Sequence, residues 1–569
     1  MKITRRGLGV FAVCAAALVL RSIGLQYGLP AVYNPDEVAI MSRALSFAKG
    51  TLNPHNFLYP TFYFYVLFAW VGIYLAFVWV SGRVDSLAGL QRLYFLDATG
   101  IYTAGRTLGV AAGAATVALL YRLTARLTDH RTAMAAAIFL AIAPLHVRDS
   151  HYVKHDVPAT LAIVLAYIAI ARIWPTPRTD GPNRSDTLVA SAACGMAFST
   201  HYYCVFLAIP LAFAIVLGWR PRGVQASVRE LAIGAASSAA VFFLLSPFLL
   251  VEPTTALRDI VANRQIVIDR AVTTGAFTPA RRYLEMLSID AAGQPIALLG
   301  LAGVVGMLAS APLRAALLLA FPLPFLLFIA NTAPASRYLN PILPFLTIFA
   351  AWTVSAVTTR LGNRRAVFWI LVAAAAAPAL RSSIETDLFL RQDDTRALAQ
   401  RFIESNVPAG ATILTQPYSA ALNPSREGLV EALTQNLGSA EAASIKFQLQ
   451  LSLDPYPSPS YRLIYLGRGG LDADKIYVDP SKLGGSEGLA PLRRLRVAYV
   501  LIKRYNEPDP ETQPFLTMLA REGRRIAQFS PYRAGDTTGV DPFLHNTDAR
   551  LDDALERPGP PLEIWQIQP

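Results

Sequence analysis

The chain has 569 residues, 53% of them hydrophobic and 16% charged, with a mean hydropathy of +0.38. Soluble domains carry about a quarter charged residues, so composition excludes an ordinary soluble protein and points to an integral membrane protein. The formal net charge is +12, but the basic residues gather in short loops between apolar runs, as the positive-inside rule requires and a nucleic-acid groove does not.

About twenty apolar residues span a bilayer. Apolar segments run over 8–27, 60–80, 98–121, 132–146, 157–173, 188–200, 204–218, 231–250, 296–310, 314–331, 338–357 and 366–381. The first follows Lys2, Arg5 and Arg6. Its length, and the lack of a small-residue cleavage site, read as an uncleaved helix rather than a secretory signal. Arg-rich loops at Arg122/Arg126/Arg131, Arg172/Arg178/Arg184, Arg220/Arg222/Arg229, Arg314 and Arg360/Arg364/Arg365 belong in the cytoplasm with the N-terminus. Two apolar segments separate the outer loop 28–59 from the inner loop at Arg122–Arg131, so one of 60–80 and 98–121 is expected not to cross. The remainder alternates and gives about eleven crossings. Asp156, the turn at His201, the loops 251–295 and 332–337 and the C-terminal tail then lie outside.

Thr187 to Leu217 reads as two short helices bent at Ser199-Thr200-His201-Tyr202-Tyr203, a form tolerated where helices line a cavity. No internal repeat is visible. From about Glu385 the apolar runs stop and charge, Pro and Gly rise. Strands are expected at 411–414, 462–466, 497–502 and 525–529, and helices at 393–406 and 510–523. The fold class is therefore a polytopic α-helical membrane protein, residues 1–384, with a C-terminal soluble α/β domain, residues 385–569. The chain from Arg533 onward is read as irregular, and Gly467-Arg468-Gly469-Gly470 as a turn. Cys14, Cys194 and Cys204 all sit in apolar segments and read as small core residues.

Candidate chemistry gathers on the outer face. Asp36 and Glu37 follow Pro35 just after the first apolar segment. Adjacent carboxylates at a membrane surface are costly unless they pair or do chemistry. Their bland reading is a helix start with Asp36 as cap. Asp156 likewise reads as a cap of the next crossing, but Arg148, His151, Lys154 and His155 crowd beside it. Cations so placed suit the phosphate of a lipid headgroup. His151 and His155 also have the i, i+4 spacing of two metal ligands on one helical face, with Asp156, His55 or His201 as a further donor, so a divalent metal is an open alternative. Arg106 and Arg337 are further outer cations, Arg337 within reach of a phosphate or snorkelling to the interface.

Beside these residues stand Tyr59-Pro60-Thr61-Phe62-Tyr63, Ala104-Gly105-Arg106-Thr107-Leu108-Gly109, Ala135 to Pro144, Ser150-His151-Tyr152, Gly195-Met196-Ala197 and Arg337-Tyr338. Together with Asp36-Glu37 and Asp156, and over roughly residues 8–380, the set resembles the protein O-mannosyltransferase and aminoarabinose-transferase-like glycosyltransferases of the GT-C fold. The resemblance implies an enzyme of a bacterial inner membrane that takes a sugar from a polyprenyl phosphate on the periplasmic side. By the same resemblance Asp36 is the base that deprotonates an acceptor hydroxyl, with Glu37 beside it, and Asp156 orients acceptor or donor. Arg106, Arg148, His151, Lys154, His155, His201 and Arg337 are the expected donor-phosphate binders. The family often carries Arg near His151 and Lys near His201, so histidines take over part of that task here.

The chemistry of the residues is consistent with this scheme. Inverting transfer from a lipid phosphate needs one base and positive charge on the leaving group, and no metal is required. The expected partners are the lipid-linked donor, membrane lipids, and an acceptor that is a protein, a glycolipid or a polysaccharide, without nucleic acid. A transporter or lipid flippase, or a non-catalytic membrane scaffold, are the alternatives. A transporter would place its charges near mid-membrane rather than on one surface.

Overall fold

A computed structural model describes residues 5–174, 182–272, 278–470, 472–483, 488–505, 509–534, 539–544 and 551–567. Arg178 lies outside the described residues. The chain forms two compact units. The first comprises Met1–Leu25, Pro35–Tyr74 and Tyr102–Leu388, and the second Gln26–Asn34, Leu75–Ile101 and Phe389–Pro569.

The helices begin with α1 (Arg5–Ser22), α2 (Pro35–Ser46), α3 (Phe62–Val80), α4 (Leu87–Leu96), which belongs to the second unit, and α5 (Thr99–Leu127). They continue with α6 (His130–Ala141), α7 (Pro144–Asp149), α8 (Asp156–Ile173), α9 (Arg184–Thr200), α10 (Ala208–Trp219) and α11 (Val224–Leu245). Among the described residues seven helices are long and apolar enough to cross a membrane, and two bent pairs raise the number to nine if each is one span. The sequence expectation of about eleven is not reached on this measure, for physical reasons. Twelve-residue α6 is only about 18 Å long at 1.5 Å per residue. The chain then turns at Ala143-Pro144, because proline starts a new helix more readily than it continues one. Helix α1 carries Arg5, Arg6 and Arg21, and α9 has 17 residues. Both α3 and α5 are long and apolar enough to cross.

The bend at His201 is present: α9 ends at Thr200, a short 3-10 turn runs over Tyr202–Leu207, and α10 follows. Helices α9 and α11 pack closely because Gly195 faces the backbone carbonyl of Ser238, where any side chain would collide. Small residues at such crossings let backbones approach, which is how helices gain packing energy in lipid.

The second unit contains one six-stranded sheet of order β3-β2-β1-β4-β6-β5. Its strands are β1 (Thr412–Thr415), β2 (Arg462–Leu466), β3 (Ile476–Val478), β4 (Tyr499–Lys503), β5 (Gly523–Phe529) and β6 (Leu562–Ile567). The first four are parallel, while β6 is antiparallel to β4 and β5. Alternate residues of the central strands feed two cores. Leu414, Ile464, Val500 and Ile502 face one, with Phe515 and Leu519; Ile413, Leu463 and Leu501 face the other, with Ala399 and Ile403. The stretch read as irregular after Arg533 contains β6, which completes the sheet. The prolines at 558, 560 and 561 hide that strand's alternation in the sequence. Gln26–Asn34 joins this unit through Arg396, whose guanidinium lies 3.8 Å from the Tyr33 ring while it holds Asp394 at 2.7 Å.

Candidate active site

Pro35 opens α2 and puts both carboxylates in its first turn, where the helix dipole favours negative charge. Successive helical residues point about 100° apart, so the two acids face different surroundings. Glu37 is fully buried. It accepts two hydrogen bonds from Arg106, at 2.9 Å from Nε and 2.7 Å from NH2, and a third from the Val153 amide at 2.9 Å. Arg106 also donates to the Leu25 carbonyl at 2.7 Å. A buried ion pair offsets its desolvation only when its hydrogen bonds are so completed. The pair therefore ties α2, α5 and the 150–155 loop into one frame.

Asp36 is the open partner, its side chain 44% exposed. Lys154 Nζ stands 2.9 Å from its Oδ2 and an Arg337 nitrogen 3.4 Å from the same oxygen. Arg337 also interacts electrostatically with Asp156, the buried first residue of α8, as does Lys154. Asp36 thus holds two cations whose charge also reaches Asp156. Behind them Asp149 accepts from Asn340 Nδ2 at 2.6 Å, and Arg148 contacts Asp149 at 3.3 Å and donates to Ser336 Oγ at 2.9 Å. These contacts fix the start of the helix that presents Arg337.

The histidines divide into two groups. The His151 ring is buried; its Nε2 lies 2.6 Å from the Ile23 carbonyl and its Nδ1 3.0 Å from that of Val147, with Asp387 3.6 Å away. It braces backbone. His155 is buried in an aromatic box, its ring centroid 4.3 Å from Tyr59, 4.4 Å from Tyr63 and 5.1 Å from Phe64. Among the described residues its Nε2 has no hydrogen-bond partner. His201 closes the box, stacked 3.8 Å from Tyr203, whose backbone amide donates to its Nδ1 at 3.3 Å. That bond leaves the ring proton of a neutral His201 on Nε2. Burial holds His155 well below the usual histidine range, and burial with the Arg337 charge pushes His201 down to about 3.

Residues 150–155 are not helical, because α7 ends at Asp149 and α8 begins at Asp156. The spacing of His151 and His155 therefore does not put both rings on one helical face, and they point into different surroundings. Among the described residues no three His, Cys, Asp or Glu side chains are grouped to hold a metal ion. Sequence reasoning missed Tyr59 and Tyr63 as box walls, and Asp149, Ser336 and Asn340 as braces. The aromatic pair flanking Pro60-Thr61 was the one local signal available.

Beyond the His201 turn lies an apolar cavity of about 430 Å³ between α9, α10 and α11, lined by Phe198, Cys204, Val205, Leu211, Phe242 and others. Two of its lining residues, Phe198 and Cys204, lie close in the chain to the box residues His201 and Tyr203.

Residues 100–250 match the family described as dolichyl-phosphate-mannose-protein mannosyltransferase. The structure is similar to that of ArnT from Cupriavidus metallidurans bound to undecaprenyl phosphate, with a TM-score of 0.50 at 14% identity over 92% of this chain and 97% of that one. The chain has the GT-C fold. An oligosaccharyltransferase from Archaeoglobus fulgidus, tethered to an acceptor peptide, is also similar, with a TM-score of 0.48 at 13% identity over 87% of this chain and 69% of that one. No curated protein matches the chain in sequence. The GT-C fold and the apolar helices identify an integral membrane protein whose structural relatives are glycosyltransferases.

Proposed function

We propose that this GT-C protein transfers a sugar from a polyprenyl-phosphate donor to an acceptor hydroxyl at the outer face of the membrane, with inversion. The observation that carries the reading is the accessible Asp36 carboxylate, held by Lys154 and Arg337 beside Asp156. An acceptor O–H gives its proton to Asp36 as its oxygen bonds to the anomeric carbon, and the bond from that carbon to the phosphate oxygen breaks. The polyprenyl phosphate departs with the electron pair, its charge met by Arg337, Lys154 and Arg148.

The cations that now sit on Asp36 are the ones the donor phosphate needs. Donor binding would draw Lys154 and Arg337 toward phosphate and leave Asp36 more basic when the acceptor arrives. Asp156 orients donor or acceptor. Glu37 and Arg106 satisfy each other, so in this reading they position Asp36 rather than touch substrate. His151 braces backbone, while His155 and His201 offer neutral ring nitrogens to donor or sugar. The apolar cavity beside the His201 turn suits the first isoprene units of the donor. ArnT from Cupriavidus metallidurans, of the same fold, has been captured with undecaprenyl phosphate. The scheme needs no metal, because side chains supply the positive charge.

The test is transfer by membranes containing the wild-type chain, supplied with radiolabelled polyprenyl-phosphate sugars or with nucleotide sugars. Product with inverted anomeric configuration from a polyprenyl-phosphate donor is expected. Transfer only from nucleotide sugars, or with retention, would overturn the reading.

A further inference from the structure

A second cluster of ionisable side chains in the first unit is buried outright, and the transferase scheme gives it no task. It comprises Arg21, His146, His151 and Asp387, each at most 1% exposed. Asp387 lies on the helix Arg365–Phe389, one turn beyond Ser383, whose Oγ donates to the Ile142 carbonyl at 2.8 Å and seats that helix against the end of α6. Arg21 uses its NH1 and NH2 groups on the carbonyls of Ala17, Leu140 and Ala141 and on His146 Nδ1, at 2.9–3.2 Å. The one ion pair that Asp387 makes among the described residues is with His151, whose Nε2 lies 3.6 Å from its Oδ1.

The surroundings of the His151 ring decide where its protons sit. Nδ1 lies 3.0 Å from the Val147 carbonyl and 3.2 Å from that of Arg148, and Nε2 lies 2.6 Å from that of Ile23. All three are acceptors. A neutral imidazole has one N–H and one lone pair, so at one of its nitrogens it would turn a lone pair onto a carbonyl oxygen. The doubly protonated ring donates at both, and 2.6 Å suits the short bonds that charge produces. A proton on Asp387 would find no acceptor, since neither of its oxygens has a hydrogen-bond partner among the described residues. Burial and the Arg106 charge, itself matched by Glu37, oppose a charged ring, while the three carbonyls favour it. Of the other groups in the cluster, Arg21 acts on Asp387, and His146 takes a bond from Arg21 on Nδ1 and so keeps its own proton on Nε2.

We propose that His151 is a buried imidazolium with Asp387 as its counter-ion, and that the pair positions the 150–155 loop and with it Lys154. The ring ties the loop to the end of α1 and to the helix Arg365–Phe389, as Glu37 ties it to α2 through the Val153 amide. Lys154, three residues on, is thereby kept 2.9 Å from Asp36. The use made of Lys154 rests on the transferase reading; the state of the ring does not.

The experiment is NMR of the full chain in nanodiscs with nitrogen-15-labelled histidine, at about pH 8.5, where exposed histidines are neutral. The wild type is expected to show a ring with both nitrogens protonated. That signal is expected to be missing from His151→Gln. It is expected to be missing also from Asp387→Asn, which keeps the side chain's size but removes the counter-ion. Transfer by Asp387→Asn is expected to be about tenfold slower at that pH. Near pH 6.5, where the ring regains its proton, the rate is expected to return to within about threefold of wild type. A loss of packing alone would not be repaired by acid. A wild type in which every histidine is neutral overturns the proposal, whatever the variants do. So does a doubly protonated signal undiminished in His151→Gln, or an Asp387→Asn protein as fast as the wild type at both pH values. The ring signal is read without substrate, so its failure is told apart from a failure of the transferase reading.

Discussion

Arg106 grips Glu37 through two of its nitrogens, at 2.9 and 2.7 Å, with both side chains sealed from solvent, while the adjacent Asp36 stands open. One dipeptide thus supplies a buried, paired acid and a partly exposed one. Breaking the buried pair from one side leaves an uncompensated charge, which costs about 3–5 kcal/mol. Glu37→Gln and Arg106→Met are each expected to lower the apparent Tm in detergent sharply. The double variant is expected to recover part of that loss, because no lone buried charge remains. Single variants that melt like the wild type would show that the pair is not the frame of the site.

Lys154 and Arg337 meet Asp36 on the open side. Lys154→Met and Arg337→Gln are expected to reduce transfer by about 100-fold or more, since charge on a leaving group counts for about 3–4 kcal/mol in a water-poor site. Initial rates at saturating and at limiting donor separate lost binding from lost turnover. Activity within threefold of wild type in both would remove these cations from the reaction.

The histidines set a pH dependence. Folded His201 takes its proton only near pH 3 and His155 also binds it weakly, whereas both titrate near 6.5 when unfolded. Below pH 6.5 the unfolded chain therefore binds more protons, so stability is present above that pH and is lost as pH falls. For His201 alone the loss reaches about 2 kcal/mol by pH 5, at 1.36 kcal/mol per pH unit. Apparent Tm measured from pH 7.5 to 5 should fall, and His201→Gln should flatten the slope. An unchanged slope in that variant would contradict the neutral, buried assignment.

The apolar cavity makes a separate prediction. Ala212→Trp fills it from α10 without touching the carboxylates. Transfer from a long polyprenyl donor should weaken by about tenfold, a scale set by 1.4 kcal/mol per decade, while a donor with a short prenyl chain is used as before. Equal effects on both donors would place the lipid chain elsewhere.

Composition and apolar runs were enough to read a membrane protein with an α/β tail, and β2 lies at 462–466 as expected. Local patterns carry that information because burial imposes a period on each element. The partition between Asp36 and Glu37 was not legible, since it depends on Arg106, 69 residues further along the chain. Asn340 reaches Asp149 across 191 residues, and Tyr59 finds His155 only once the 51–61 segment is pinned, its Phe57 amide donating to Asp259 at 2.9 Å. The period of a helix tells which side is inward, but not which residue waits there. The histidine spacing misled for the same reason: i, i+4 has meaning only on a helix, and residues 150–155 form none.

The central claim is that Asp36 is the base. Its direct measurement compares wild type and Asp36→Asn in nanodiscs, with donor binding and single-turnover transfer read on the same samples. Asparagine keeps the size and loses the basicity, so donor Kd should stay within a few-fold while the rate falls by about 100- to 10,000-fold. A transfer rate for Asp36→Asn equal to that of the wild type, at equal donor occupancy, would contradict the account.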